Sequence, residues 1–167
     1  MQKFISLINN LNERVGTVVS WLTSILVWVI CLDVVMRYFL NLSYPGLFEL
    51  EWHLFALIFL LGAAFALKND KHVRVDVFYS KFSERGKAWV NLVGTVIFLI
   101  PFCFVVIISS VPFVINSFTI MEGSPDPGGL PFRFVVKAAI PIGFSLLLLQ
   151  GISLALQSFL VIKGDSK

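Results

Sequence analysis

Four long apolar stretches, divided by short polar ones, make up most of this chain. The uncharged runs are Val15 to Leu32, Trp52 to Leu67, Ala88 to Met121 and Ala138 to Ile162. Even the shortest, 16 residues, reaches roughly 24 Å as a helix, close to the thickness of bilayer hydrocarbon. The pattern therefore predicts an all-α integral membrane protein. It is a single membrane domain over 1–167 with four transmembrane helices, at about 15–39, 52–67, 88–115 and 138–162.

The polar positions refine this frame. In residues 1–14, Phe4, Leu7, Ile8 and Leu11 recur at i, i+3, i+4 and i+7, with Asn9, Asn10 and Asn12 opposite. That spacing predicts a short amphipathic helix lying in the membrane interface, Lys3 and Arg14 turned toward the headgroups. Val75, Phe78, Tyr79 and Phe82 give 75–82 the same character. Thr17, Ser20 and Ser24 form a small polar stripe along the first span. Pro101 and Pro112 interrupt the third run, which predicts a kinked, tilted span ending near Ile115 and a segment that then leaves the bilayer. Glu122 to Pro131 reads as a loop, 132–137 as an interfacial turn, and Pro141-Ile142-Gly143 as an early kink in the last span.

Composition supports the membrane assignment. Hydrophobic residues are 57% of the chain and charged ones 14%, against about 25% charged in soluble domains. The first run is too long for a signal-peptide core and no A-x-A-like site follows it, so it is expected to remain as a span. The formal charge of +3 is not gathered into a basic face, and nucleic acid is not an expected partner. With four spans, the two tails and the 68–87 segment share one side of the membrane. They hold ten of the thirteen Lys and Arg, which predicts that both termini are cytoplasmic. Cys31 and Cys103 both lie in apolar runs. A disulfide between oppositely directed spans is geometrically open, but small buried hydrophobes is the reading the surroundings favour.

Candidate chemistry is sparse. Asp33 and Arg37, spaced i, i+4, lie about 25 and 31 Å along the first span from Gly16, near its far interface. The position favours a structural salt bridge; an ion relay would need greater depth, and an intersubunit contact is the third possibility. Glu49 and His53 share a helix face, but a metal there lacks further ligands. Gly62 and Ala66 form a small-xxx-small pair for close helix packing. Gln150, Ser153 and Gln157 stripe the last span, and a glutamine about 20 Å in from Lys137 calls for a helix partner rather than lipid. His72, Arg74 and Asp76 alternate with valines in the basic segment, as a site or as a solvated, salt-bridged turn. No acid or base falls near midplane, where ion paths place them. His53 and His72 stand at opposite ends of one segment, which disfavours a haem held by two histidines. A cofactor-bearing anchor of an oxidoreductase and a self-contained small transporter or channel remain as alternatives.

Several of these residues recur together in one family. Asp33-Val34-x-x-Arg37-Tyr38-x-x-Asn41, Leu61-Gly62-Ala63-Ala64-x-Ala66-Leu67, His72-Val73-Arg74-Val75-Asp76, Pro141-Ile142-Gly143 and Gln150 stand in order from Gly16 to Gln150. The pattern resembles the small membrane subunit of tripartite ATP-independent periplasmic (TRAP) transporters. Glu49-Leu50-Glu51 departs from it, since the family's two acids are expected side by side. The resemblance implies a multi-pass subunit in a bacterial or archaeal inner membrane that carries no cofactor and is not an enzyme. It also implies a large membrane subunit that uses a sodium gradient to move organic acids, and a soluble periplasmic substrate-binding protein. The small subunit would brace the large one within membrane lipid and help receive the binding protein.

Overall fold

The computed structural model describes residues 2–69, 79 and 82–164. Four helices account for nearly all of them: α1, Gln2–Phe39; α2, Pro45–Lys68; α3, Glu84–Thr119; and α4, Phe134–Lys163. Each is long and apolar enough to cross a membrane. They run alternately up and down. The connections at 40–44 and 120–133 therefore lie at one end of the bundle, here the loop end. Gln2, Lys68, Glu84 and Lys163, the helix ends opposite them, lie at the other, the tail end.

Helix boundaries depart from the apolar runs for identifiable reasons. Residues 2–14 are not a separate helix but the first turns of α1, because nothing in the sequence stops the helix before Phe39. Their inward face is Ile5, Ile8 and Asn12, which are buried, while Phe4, Leu7 and Leu11 are exposed. α2 starts at Pro45, whose fixed φ suits a first helical position, so the helix begins ahead of the apolar run and includes Glu49 and Glu51. α3 does not end near Ile115 but continues through Pro112 to Thr119. Ahead of Pro101 its ladder widens into a π-helical stretch, Thr95–Leu99, where the Ile100 N–H reaches back to the Thr95 carbonyl. A proline cannot donate to the ladder, and a π-bulge is a common way to absorb such a fault. α4 begins at Phe134, so residues expected to form an interfacial turn supply its first turn, and it continues through Pro141. Of the expected interfacial segment 75–82, only Tyr79 and Phe82 are described; the Asn91 amide donates to the Tyr79 hydroxyl at 3.0 Å, holding it against α3.

α4 is the hub, packed against each of the other three helices, and α1 also packs along α2. The small apolar core joins Ala64 and Leu67 of α2, Cys103 of α3 and Leu147 of α4. Both cysteines are free thiols; Cys103 is the small buried hydrophobe expected, whereas Cys31 is exposed on the outer face of α1. Much of the remaining apolar surface faces outward, as lipid requires. Close backbone approach replaces a large core. A Cβ on Gly143 would lie 2.5 Å from the Leu60 carbonyl oxygen, and one on Gly16 would enter the Phe65 ring. At the tail end, Lys68 of α2 pairs with Glu13 of α1.

These contacts give a paired test. Gly143→Ala forces α2 and α4 apart and should destabilise by about 1–3 kcal/mol, the usual cost of overpacking. Gly94 has open space around its missing Cβ, so Gly94→Ala should be neutral or stabilise by up to about 1 kcal/mol. Thermal unfolding of both variants in detergent measures the difference.

Candidate functional site

At the loop end the polar residues organise around Glu49. Its carboxylate, on α2, is almost wholly buried, with 3% of the side chain exposed. It accepts from the Ser124 hydroxyl at 2.5 Å, from the Leu130 backbone N–H at 2.6 Å and from the Arg133 guanidinium at 2.7 Å. One α2 side chain thus ties down both limbs of the 120–133 connection. Arg133 also lies over the Trp52 ring, 5.8 Å from its centroid. His53 does not meet the Glu49 carboxylate as a ligand pair would; its Nδ1 lies 2.5 Å from the Glu49 backbone oxygen. Among the described residues no three His, Cys, Asp or Glu side chains gather as metal ligands.

A second acid completes the loop. Met121 closes α3 in the left-handed region (φ 48°), with the Glu122 N–H returned to the Ser117 carbonyl at 3.0 Å, the pattern of a Schellman cap. This turn aims Glu122 back at the bundle. The Glu122 carboxylate pairs with Lys137 of α4 and accepts from the Ser117 hydroxyl at 2.6 Å. Lys137 first, and Ser117 after it, hold the Glu122 carboxyl below the ordinary carboxylate range. The Lys137 ammonium also sits 4.1 Å from the centroid of the Phe113 ring.

Asp33 and Arg37 form the expected ion pair within α1. Asp33 is buried, whereas nearly half of the Arg37 side chain is exposed. Asn41, four residues beyond Arg37, adopts φ 53° as the chain leaves α1, a conformation asparagine tolerates better than most residues.

Toward the tail end, near the level of the Glu13–Lys68 pair, a polar seam joins α1 to α4. The Asn12 amide donates to the Gln150 carbonyl at 2.7 Å, and the Gln150 amide donates to the Asn9 carbonyl at 3.2 Å. The Ser153 hydroxyl donates to the same Asn9 oxygen at 3.3 Å, and the Gln157 amide donates to Ser153 at 3.1 Å. The expected partner of Gln150 is therefore inside the chain. Asn9 and Asn12 stand three apart, as do Gln150 and Ser153, and antiparallel helices bring such pairs face to face. That matched spacing was the available signal, hidden because the asparagines read as the outer side of an interfacial helix.

Of the small-residue pair, Gly62 faces Val19 of α1, with 3.4 Å left for a Cβ, and Ala66 is half-buried one turn on. The tightest approaches lie elsewhere, at Gly16 and Gly143. His72, Arg74 and Asp76 lie outside the described residues.

The chain matches the family described as "Tripartite ATP-independent periplasmic transporters, DctQ component" over residues 26–160. It is also 29% identical, over 168 aligned residues, to a Haemophilus influenzae protein called "Putative TRAP transporter small permease protein". That alignment covers 100% of this chain and 99% of the relative.

Two measurements test the polar contacts. In a double-mutant cycle, Asn12→Ala and Gln150→Leu should couple by about 0.6 kcal/mol and no more than about 1.7, the range for hydrogen bonds between membrane helices. Additive effects on unfolding in detergent would separate the two residues. For Glu122, a carboxyl held low stabilises the fold above the unfolded value near 4.5, and that stability fades as pH falls through the lowered folded value. Unfolding temperatures scanned from pH 7 to 3 should therefore drop more steeply below about pH 4.5 in the wild type than in Glu122→Gln.

Proposed function

We propose a scaffold role for this chain, which belongs to the DctQ-component family of tripartite ATP-independent periplasmic transporters and is a multi-pass membrane component of such a transporter. It braces a large membrane subunit that moves an organic acid with sodium, and its loop end helps receive a periplasmic substrate-binding protein. It resides in the inner membrane with both termini cytoplasmic.

The α1–α4 seam carries the scaffold reading. Gln150 lies near the middle of the last helix, with Ser153 and Gln157 following it toward the tail end, and their hydrogen bonds run to Asn9, Asn12 and one another. Groups committed in this way hold helices together and are not offered to a passing ion or substrate. The orientation is supported by the ten Lys and Arg assigned to the tail side. It leaves the Glu49-anchored loop facing the periplasm, where a surface kept in one shape suits a soluble partner that must be met repeatedly.

Reconstitution provides the test. In liposomes with an inward sodium gradient and the loaded binding protein outside, uptake of organic acid should require this chain and the large subunit together. Full-rate uptake by the large subunit alone would remove the scaffold role. Uptake by this chain alone would replace it with a self-contained carrier.

A further inference from the structure

At the loop end the charges on the helices and their flanks can be matched one to one, with a single remainder. Asp33 pairs with Arg37, Glu49 with Arg133 and Glu122 with Lys137. Glu51 of α2 is the fourth acid, and no salt bridge reaches it among the described residues; Asp126 is exposed to water in the loop. The Glu51 Oε1 atom is buried and accepts no hydrogen bond. Asp33 and Arg37 are close enough to act on its charge, but Arg37 is already bound to Asp33. A buried carboxylate oxygen with no donor is costly, and more so beside another acid.

Glu51 also lines a groove between α1 and α2. The other walls are Leu26 and Ile30 of α1 and Phe48, Trp52 and Phe55 of α2, around about 250 Å³ of open space. The walls are apolar and the one ionisable group is an acid lacking a donor. A phospholipid headgroup would bring its phosphate beside two carboxylates, against a single arginine that is already paired. A lysine or arginine on a neighbouring helix brings the missing charge and donor without a phosphate, and its alkyl stem suits the apolar and aromatic walls.

We infer that the α1–α2 groove is a docking site for a membrane helix of the large transport subunit, which inserts a lysine or arginine side chain to pair with Glu51. The inference rests on the scaffold reading above and assigns it a contact. The fourth ion pair then forms only in the complex, so the surplus acid rewards assembly and penalises the chain left alone. Such a contact supplies specificity that apolar helix surfaces in lipid lack.

The test uses the complex of this chain with the large subunit. Benzoylphenylalanine placed at Phe48 or Phe55, with Glu51 intact, should give a photo-crosslinked adduct with the large subunit. Peptide mapping should locate that adduct on a transmembrane helix within one or two turns of a Lys or Arg. Glu51→Gln keeps the side chain's shape and removes its charge, and should weaken the purified complex by about 30-fold or more, as loss of a buried charge pair does. Crosslinking to lipid alone, or an unchanged dissociation constant for Glu51→Gln, would overturn the inference while the scaffold reading stands. Failure of the wild-type chain to form any complex would overturn both.

Discussion

In hydrocarbon an apolar side chain gains almost nothing by leaving lipid for protein, so hydrophobic burial cannot hold this bundle together as it would in water. The architecture follows from that constraint. The core is small, joining Ala64, Leu67, Cys103 and Leu147, and large residues such as Trp28, Phe59 and Phe98 point outward. Helix association relies instead on close approach and on polar groups that lipid cannot satisfy. The Gly143 contact brings α4 against the α2 backbone, and the Asn12–Gln150 bond ties α4 to α1. Both involve α4, the helix packed against all three others.

The loop end obeys a different rule, because water is near and charge can be used. There the strategy is pairing: each of three acids takes one cation, and two of them also take hydroxyl or backbone donors. The effect is to hold a Gly- and Pro-rich connection in one shape. The Glu49 bonds to Ser124, Leu130 and Arg133 reach both limbs of the 120–133 segment, and the Met121 cap sets the direction in which Glu122 leaves α3. The cost is visible in Met121 and Phe132, which hold left-handed backbone without being glycine.

In this transporter component the polar residues serve mainly to hold the helices and the loop to one another. Gln150, Ser153 and Gln157 find their partners inside the chain, and the ionic groups gather toward the helix ends. Glu51 is the exception on both counts, buried at one oxygen and unmatched in charge. Its place beside the α1–α2 groove connects the pairing rule at the loop end with assembly in the membrane.

Sequence alone determined the membrane class, the number of spans and the local Asp33–Arg37 pair, because these depend on hydrophobic run length and on i, i+4 spacing within one helix. It also placed Gln150 among residues needing a protein partner, since depth follows from counting along the axis. The helix ends were less legible: an uncharged run reports where lipid can be, whereas helices continue past it until a cap or loop stops them, as at Pro45 and Thr119. Only the tertiary structure decided which face of residues 2–14 turns inward. The spacing set Asn9 and Asn12 opposite the apolar side of an interfacial helix, but α4 presents Gln150 and Ser153 at that level, and unsatisfied amides are worth more to cover than leucines that lipid solvates equally well. The same holds for Glu49, an ordinary acid near a turn in sequence and the centre of the loop end in space. Its partners lie 75 to 84 residues away along the chain, beyond the reach of any local spacing rule.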